Sequence, residues 1–142
     1  MSDIHSQLLE DGLLLGRFPL CHLLLMCDAN YPWFILVPNR DNISEIHQLS
    51  ADDQSQLLKE SSLLAESLLE SFQGDKMNIA ALGNIVPQLH IHYVVRYQND
   101  PAWPAPIWGK LPAKLYTEEN LSDVLLKFNE LKLTDFEYEK NN

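Results

Sequence analysis

"PQLHIHYVVR", residues Pro87 to Arg96, sets two histidines two positions apart inside an apolar run, with a glutamine one step earlier at the same spacing. In an extended chain successive side chains point to opposite faces. Gln88, His90, His92, Val94 and Arg96 therefore share one face, and Leu89, Ile91, Tyr93, Val95 and Tyr97 share the other. The second set is a core face. The first begins polar, directly after a turn-like Leu82-Gly83-Asn84 segment, where a site mounted on a rigid strand would open to solvent.

Upstream of this strand the chain changes period. "SDIHSQLLE" reads as a short helix, and "LLLGRF" and "HLLLMC" as strands separated by Pro19-Leu20. "YPWFILVPN" reads as a third strand, because β-favouring Trp33, Phe34, Ile35 and Val37 stand between two prolines that do not belong inside a ladder. From Ser50, with Asp53 placed as in a capping box, Leu57, Leu64, Leu68 and Phe72 recur at helical spacing until Gln73-Gly74. "KMNIAAL" is a fourth strand and "LHIHYVVRY" the fifth. Residues Gln98 to Tyr116, with four prolines and two tryptophans, read as an ordered loop packed by its own aromatics. A closing helix over about 117–131 has Thr117 as N-cap and Leu121, Val124, Leu125, Phe128 and Leu131 inward; the acidic residues beyond it, to Asn142, read as loose. Strands before and after one long helix, without β-α-β alternation, predict a single α+β domain over 1–142 with a five-stranded, mainly antiparallel sheet.

Composition narrows the function. A chain of 142 residues supports one domain with a proper core, and 46% hydrophobic with 21% charged residues is a globular balance. A formal charge of -10 opposes nucleic acid and anionic membrane partners, whose binding rests on Lys and Arg. It leaves room for a small phosphorylated ligand held by local dipoles and a few charges such as Lys76 and Arg96. No apolar run approaches the roughly 20 residues that span a bilayer, and the N-terminus is acidic where a signal peptide is basic, so the chain reads as cytoplasmic. Cys21 and Cys27 lie roughly 20 Å apart along an extended strand and read as two small buried hydrophobes.

Imidazole serves as core hydrogen-bonder, metal ligand, general base or nucleophile. A His-x-His metal pair wants a third ligand, yet "YVVRYQND" after His92 offers only Asp100, beyond the strand. No metal is expected. Arg96, about 20 Å from His90 along the strand, reads as a surface charge.

"QLHIHYVV" resembles the signature of the histidine-triad (HIT) nucleotide hydrolases and transferases, His-φ-His-φ-His-φ-φ with φ apolar. "WFILVPNRDNISEIHQLS" is similar to the family's strand and its lead into the long helix, and "MNIAALGN" to its strand and phosphate-side loop. The resemblance covers roughly residues 10–108 and is strongest to the bacterial diadenosine-tetraphosphate-hydrolase-like branch. Gln88 stands at the first triad position, and Trp33 where many members carry another histidine. By the resemblance His90 is the nucleophile, His92 contacts the phosphate being transferred, and Gln88 hydrogen-bonds without carrying a proton. The resemblance makes Gly83 and Asn84, with the amides up to Ile85, candidates for holding phosphate oxygens, although a turn residue tolerating the left-handed conformation explains Asn84 at least as well; it sets Asp28 and Asn30 near the ribose, although an Asx turn before Pro32 explains them equally well. Asn78 joins the nucleotide-binding set, and Leu25, Met26, Trp33 and Phe34 are base-pocket candidates, although sheet core is the better reading of any one of them. The resemblance implies a HIT-like fold, a nucleotide substrate, no cofactor and a homodimer. It leaves two functions open: a hydrolase acting at a nucleotide α-phosphate, such as that of a dinucleoside polyphosphate, or a nucleotide-binding protein with vestigial catalysis.

Overall fold

The computed structural model describes residues 3–140. Ser2, at the start of the expected first helix, and Asn141 and Asn142, at the end of the expected loose tail, lie outside the described residues. A short helix α1 (Ser6–Asp11) leads into an antiparallel meander of β1 (Gly12–Arg17), β2 (Cys21–Met26) and β3 (Trp33–Pro38). The long helix α2 (Ala51–Ser71) follows, then β4 (Lys76–Ala80), β5 (Ile91–Arg96), helix α3 (Glu118–Asn129) and a two-residue strand β6 (Glu137–Tyr138). The sheet has six strands in the order β4-β5-β3-β2-β1-β6, every pair antiparallel, where five strands are expected from the sequence.

The sixth strand comes from the tail that reads as loose. It pairs with β1 through Gly16 and Arg17, where β1 carries a bulge. A Cβ on Gly16 would meet the Glu137 carbonyl oxygen at 2.2 Å and the Phe136 ring at 2.6 Å, so glycine is what lets the tail close on the sheet edge.

The helix signals act as local chemistry dictates. The Ser50 side chain accepts the Asp53 N–H, and Asp52 and Asp53 lie in the first turn of α2, where the helix dipole favours negative charge. At the other end Gln73 takes the left-handed conformation (φ 51°), with Gln73 N–H donating to Glu70 O and Gly74 N–H to Leu69 O, a Schellman arrangement. Gly74 serves packing instead, since a Cβ there would lie 2.4 Å from Val95 Cγ1. Thr117 caps α3 by accepting the Asn120 N–H.

One face of the sheet is covered by helices. Leu57, Leu64 and Leu68 of α2 and Phe128 of α3 cluster with Leu23, Leu25, Phe34, Leu36, Ile91, Tyr93 and Val95. Within the α2 stripe, Glu60 is buried and accepts the backbone N–H groups of Leu20 and Cys21, which fastens the helix to the β1–β2 turn. On the opposite face Ile35, Val37 and Leu24 pack with Leu8 of α1, while Val94 packs with Tyr31, Ala102 and Ile107 from the loops. On this thinner face aliphatic cover gives way to His90 and His92.

Arg96 and Cys27 differ from their sequence expectations. Arg96 is not a surface charge: it is 1% exposed, its guanidinium makes two bonds to Asp100 at 2.7 and 3.1 Å and a third to Asn78 Oδ1 at 2.8 Å, and it lies between the rings of Tyr31 and Trp103. Desolvation would raise the Asp100 pKa, but Arg96 and the N–H groups of Tyr97, Ala102 and Trp103 outweigh it and hold the carboxyl down at about 2. Cys21 is buried as expected, but Cys27, one residue beyond β2, is exposed. Among the described residues no helix is long and apolar enough to cross a membrane.

Candidate active site

The strand carrying the histidines begins later than its pattern suggests. β5 starts at Ile91, so Gln88 and His90 sit on the irregular segment leading into it and His92 is within it. Register still brings the polar face together: Ile35 faces His92 and Trp33 faces Val94, so Trp33 is a diagonal neighbour of His92 on the same side.

His90 is 7% and His92 6% exposed, and their ring centroids are 4.9 Å apart. His90 Nδ1 lies 2.7 Å from the backbone oxygen of Gln88. A carbonyl oxygen only accepts, so Nδ1 carries the proton and Nε2 keeps its lone pair. His92 is polarised the other way: the Trp33 indole Nε1–H donates to His92 Nδ1 at 3.0 Å. Burial, and secondarily the neighbouring His90, lowers the His92 pKa to about 4, so the ring is neutral at pH 7. Trp108 closes the group, its ring 5.3 Å from His92 and 6.1 Å from Trp33.

Both histidines line a cavity of about 620 Å³. Gly83 and Asn84 line it too, with Gly83 in the left-handed region (φ 72°) at the start of the loop. Val86 of that loop is buried, while Ile85 is 90% exposed at the rim. Of the base-pocket candidates, Met26 and Trp33 reach the cavity; Leu25 and Phe34 belong to the core beneath the helices. No lysine or arginine is among the described lining residues, and the one acidic side chain there is that of Asp11.

The remaining candidates are occupied elsewhere. Asn78 Oδ1 accepts from Arg96. Asp28 Oδ1 accepts the N–H of Asn30, an Asx turn, and also that of Lys114, while Asn30 Nδ2 donates to Pro112 O. Neither Asp28 nor Asn30 lines the cavity; together they tie the β2–β3 turn to the loop before α3. The Gln88 side chain turns away from the histidines: its Oε1 accepts the His5 N–H at 2.8 Å and its Nε2 donates to Asp3 O at 2.9 Å. It borders a second, more open cleft of about 650 Å³ lined with Asp3, His5, Pro87 and residues 40–44, whose one arginine, Arg40, is paired with Asp53. That cleft contains neither His90 nor His92.

Sequence reading missed the contribution of α1. Gln7, Leu8 and Asp11 form a wall of the cavity. A six-residue helix gave only its amphipathic pattern as a signal, which says that it packs but not on what. Among the described residues no group of three or more His, Cys, Asp or Glu side chains is placed to hold a metal ion.

Among solved structures the chain is 53% identical to a histidine triad protein from Marinobacter aquaeolei VT8, over 90% of this chain and 93% of that one, with a TM-score of 0.87. It is 40% identical to a histidine triad protein from Bradyrhizobium japonicum, over 92% of this chain and 98% of that one, with a TM-score of 0.87. A histidine triad (HIT) protein from Sinorhizobium meliloti 1021 is 39% identical over 92% of this chain and 96% of that one, also with a TM-score of 0.87. No curated protein matches. The HIT domain family matches residues 10–99, which span the meander, the long helix and the histidine strand, and the chain belongs to that family.

Proposed function

We propose that this chain is a nucleotide hydrolase that cleaves a phosphoanhydride or phosphoramidate bond at a nucleotide α-phosphate, such as that of a dinucleoside polyphosphate, through a nucleotidyl intermediate on His90. The observation that carries this reading is the bond from His90 Nδ1–H to the Gln88 carbonyl, which leaves Nε2 with a free lone pair in the cavity that His92 shares. In the first step Nε2 attacks phosphorus, a P–N bond forms, and the bond to the leaving group breaks with its electron pair departing on that group. Water then attacks the same phosphorus, a P–O bond forms as the P–N bond breaks with its electron pair returning to Nε2, the imidazole leaves neutral with its Nδ1 proton in place, and the proton of the water is lost to solvent. His92 and the amides of the Gly83–Ile85 loop are suited to stabilise the phosphate oxygens, so positioning and charge stabilisation do the rest.

A panel of dinucleoside polyphosphates and nucleoside phosphoramidates, with products identified, tests the reading. The best substrate should leave an acid-labile nucleotidyl group on His90 when the reaction is quenched in alkali. His90→Ala should abolish turnover while keeping affinity for adenosine monophosphate within about tenfold, roughly 1.4 kcal/mol. Wild-type turnover by a folded His90→Ala variant would refute the nucleophile.

One observation favours a second reading, a nucleotide-binding protein with weak catalysis. The Gln88 amide is engaged by Asp3 and His5, so the first triad position supplies no proton carrier. Adenosine monophosphate raising the melting temperature, with no turnover anywhere in the panel, would select it.

A further inference from the structure

We propose that Trp33 is a positioning residue that fixes His92 as its Nε2–H tautomer, making it a standing hydrogen-bond donor opposite the His90 lone pair. This rests on the reading of His90 and His92 as a nucleotidyl-transfer pair. An indole N–H can only donate, so the nitrogen facing it at 3.0 Å, His92 Nδ1, must present a lone pair. A neutral imidazole has one protonated nitrogen, and the proton therefore sits on Nε2.

The indole is itself held in place. Trp33 begins β3 opposite Val94, and the Trp108 ring meets it edge-on at 86° and His92 at 75°. His92 is thus enclosed by two indoles on a strand whose register sets the donor distance. The two histidines consequently hold opposite tautomers, each fixed by a group that has only one hydrogen-bonding role: a carbonyl for His90 and an indole N–H for His92. Were His92 to carry its proton on Nδ1, both imidazoles would turn lone pairs toward a phosphate anion. Trp33 also opposes the imidazolium, because a proton on Nδ1 would face the indole N–H. The other titratable groups lining the cavity are His90, on the same segment, and Asp11, from α1.

The position that looks like a lost histidine is, on this account, a donor that has been kept. An indole N–H performs the orienting half of imidazole chemistry and cannot perform the proton-carrying half.

Nitrogen-15 labelling of histidine, with long-range proton–nitrogen correlation spectra, reads each tautomer directly and needs no turnover. In the unmutated protein at pH 7 His92 should show a protonated Nε2 and an acceptor Nδ1, and His90 the reverse. Trp33→Phe keeps an aromatic ring, a smaller one, and removes the donor. His92 should then populate both tautomers, and its titration midpoint should rise by up to about one pH unit, the equivalent of one net hydrogen bond. On the best substrate kcat should fall by roughly tenfold or more with a smaller change in KM, as loss of a donor to the transferring phosphate requires. A His92 proton on Nδ1 in the unmutated protein overturns the proposal, whether or not the variant folds. An unchanged tautomer and midpoint in folded Trp33→Phe overturns it as well. A protein without turnover but with the expected spectra refutes the hydrolase reading and leaves the tautomer assignment standing.

Discussion

Acid should destabilise this protein through His92 before the Asp100 carboxylate is protonated. The ring is 6% exposed, and burial, then the adjacent His90, brings its pKa from 6.5 down to about 4. Its folded pKa is depressed, so between about 4 and 6.5 the unfolded chain binds a proton that the folded chain refuses. Stability from this group is present above pH 6.5 and is lost as the pH falls toward 4. Proton linkage with those two values gives a loss of about 2 kcal/mol between pH 7 and pH 4.5, a sizeable share of the roughly 5–15 kcal/mol of a typical domain. His92→Asn removes the titration while offering an amide oxygen to the Trp33 N–H. Urea unfolding of both proteins at pH 7 and pH 4.5 isolates the effect, because every other titrating group contributes to both. The unmutated protein should lose about 2 kcal/mol more than the variant over this interval. Equal losses, within roughly 0.5 kcal/mol, would mean that His92 is protonated as readily in the fold as in water, and the account of a buried neutral donor would fail.

Two further changes test the surroundings of the site. Arg96→Met should destabilise by about 3–5 kcal/mol, because it strands the Asp100 carboxylate 3% exposed against backbone donors alone; a loss under about 1 kcal/mol in urea unfolding would show the pair to be solvated. Gln88→Ala should remove both bonds to the N-terminal segment, about 1 kcal/mol each, and speed hydrogen exchange at the His5 amide, while His90 keeps its Nδ1 proton because the Gln88 carbonyl remains; unchanged exchange at His5 would dismiss the clamp.

What the sequence conveyed was whatever repeats over short distances. The alternation of Leu89, Ile91, Tyr93 and Val95 puts the core face of β5 on the page, and the helical spacing of Leu57, Leu64 and Leu68 between Ser50 and Gly74 does the same for α2. Partnerships that depend on register or on a fold-back are absent from any such pattern. Arg96 looks exposed until the 97–100 turn returns Asp100 to it. The pairing of β6 with Gly16 and Arg17 joins positions more than a hundred residues apart through a strand too short to have a period. Trp33 finds His92 because β3 pairs with β5 in one register, and slipping it by one residue would turn the indole to the other face. Asp28 shows the limit from the other side, since a carboxylate near a ligand loop and one closing an Asx turn look the same in sequence.

Gln88 and Trp33, which by the sequence resemblance stand in for histidines, change meaning once the hydrogen bonds are followed. A histidine does two separable jobs: it orients a neighbour through a fixed N–H or lone pair, and it carries a proton between partners. The orienting job at position 88 belongs to the backbone, since the carbonyl that sets His90 is present whatever the side chain. At position 33 the same job passes to an indole N–H. The side chain at position 88 carries no proton, because the Gln88 amide cannot titrate and is spoken for by Asp3 and His5. On the proposed reading the nucleophile and the phosphate donor remain intact, and the deficit falls on leaving groups that need a proton. Positioned acid-base help is worth about 10² to 10⁴ in rate, so an amine expelled from a phosphoramidate should leave slowly, while a polyphosphate, which departs as a stable anion, should not. The departures therefore point toward phosphoanhydrides as the better substrates of this site, and the phosphoramidate arm of the substrate panel is where that selectivity would be lost if Gln88 were only a spacer.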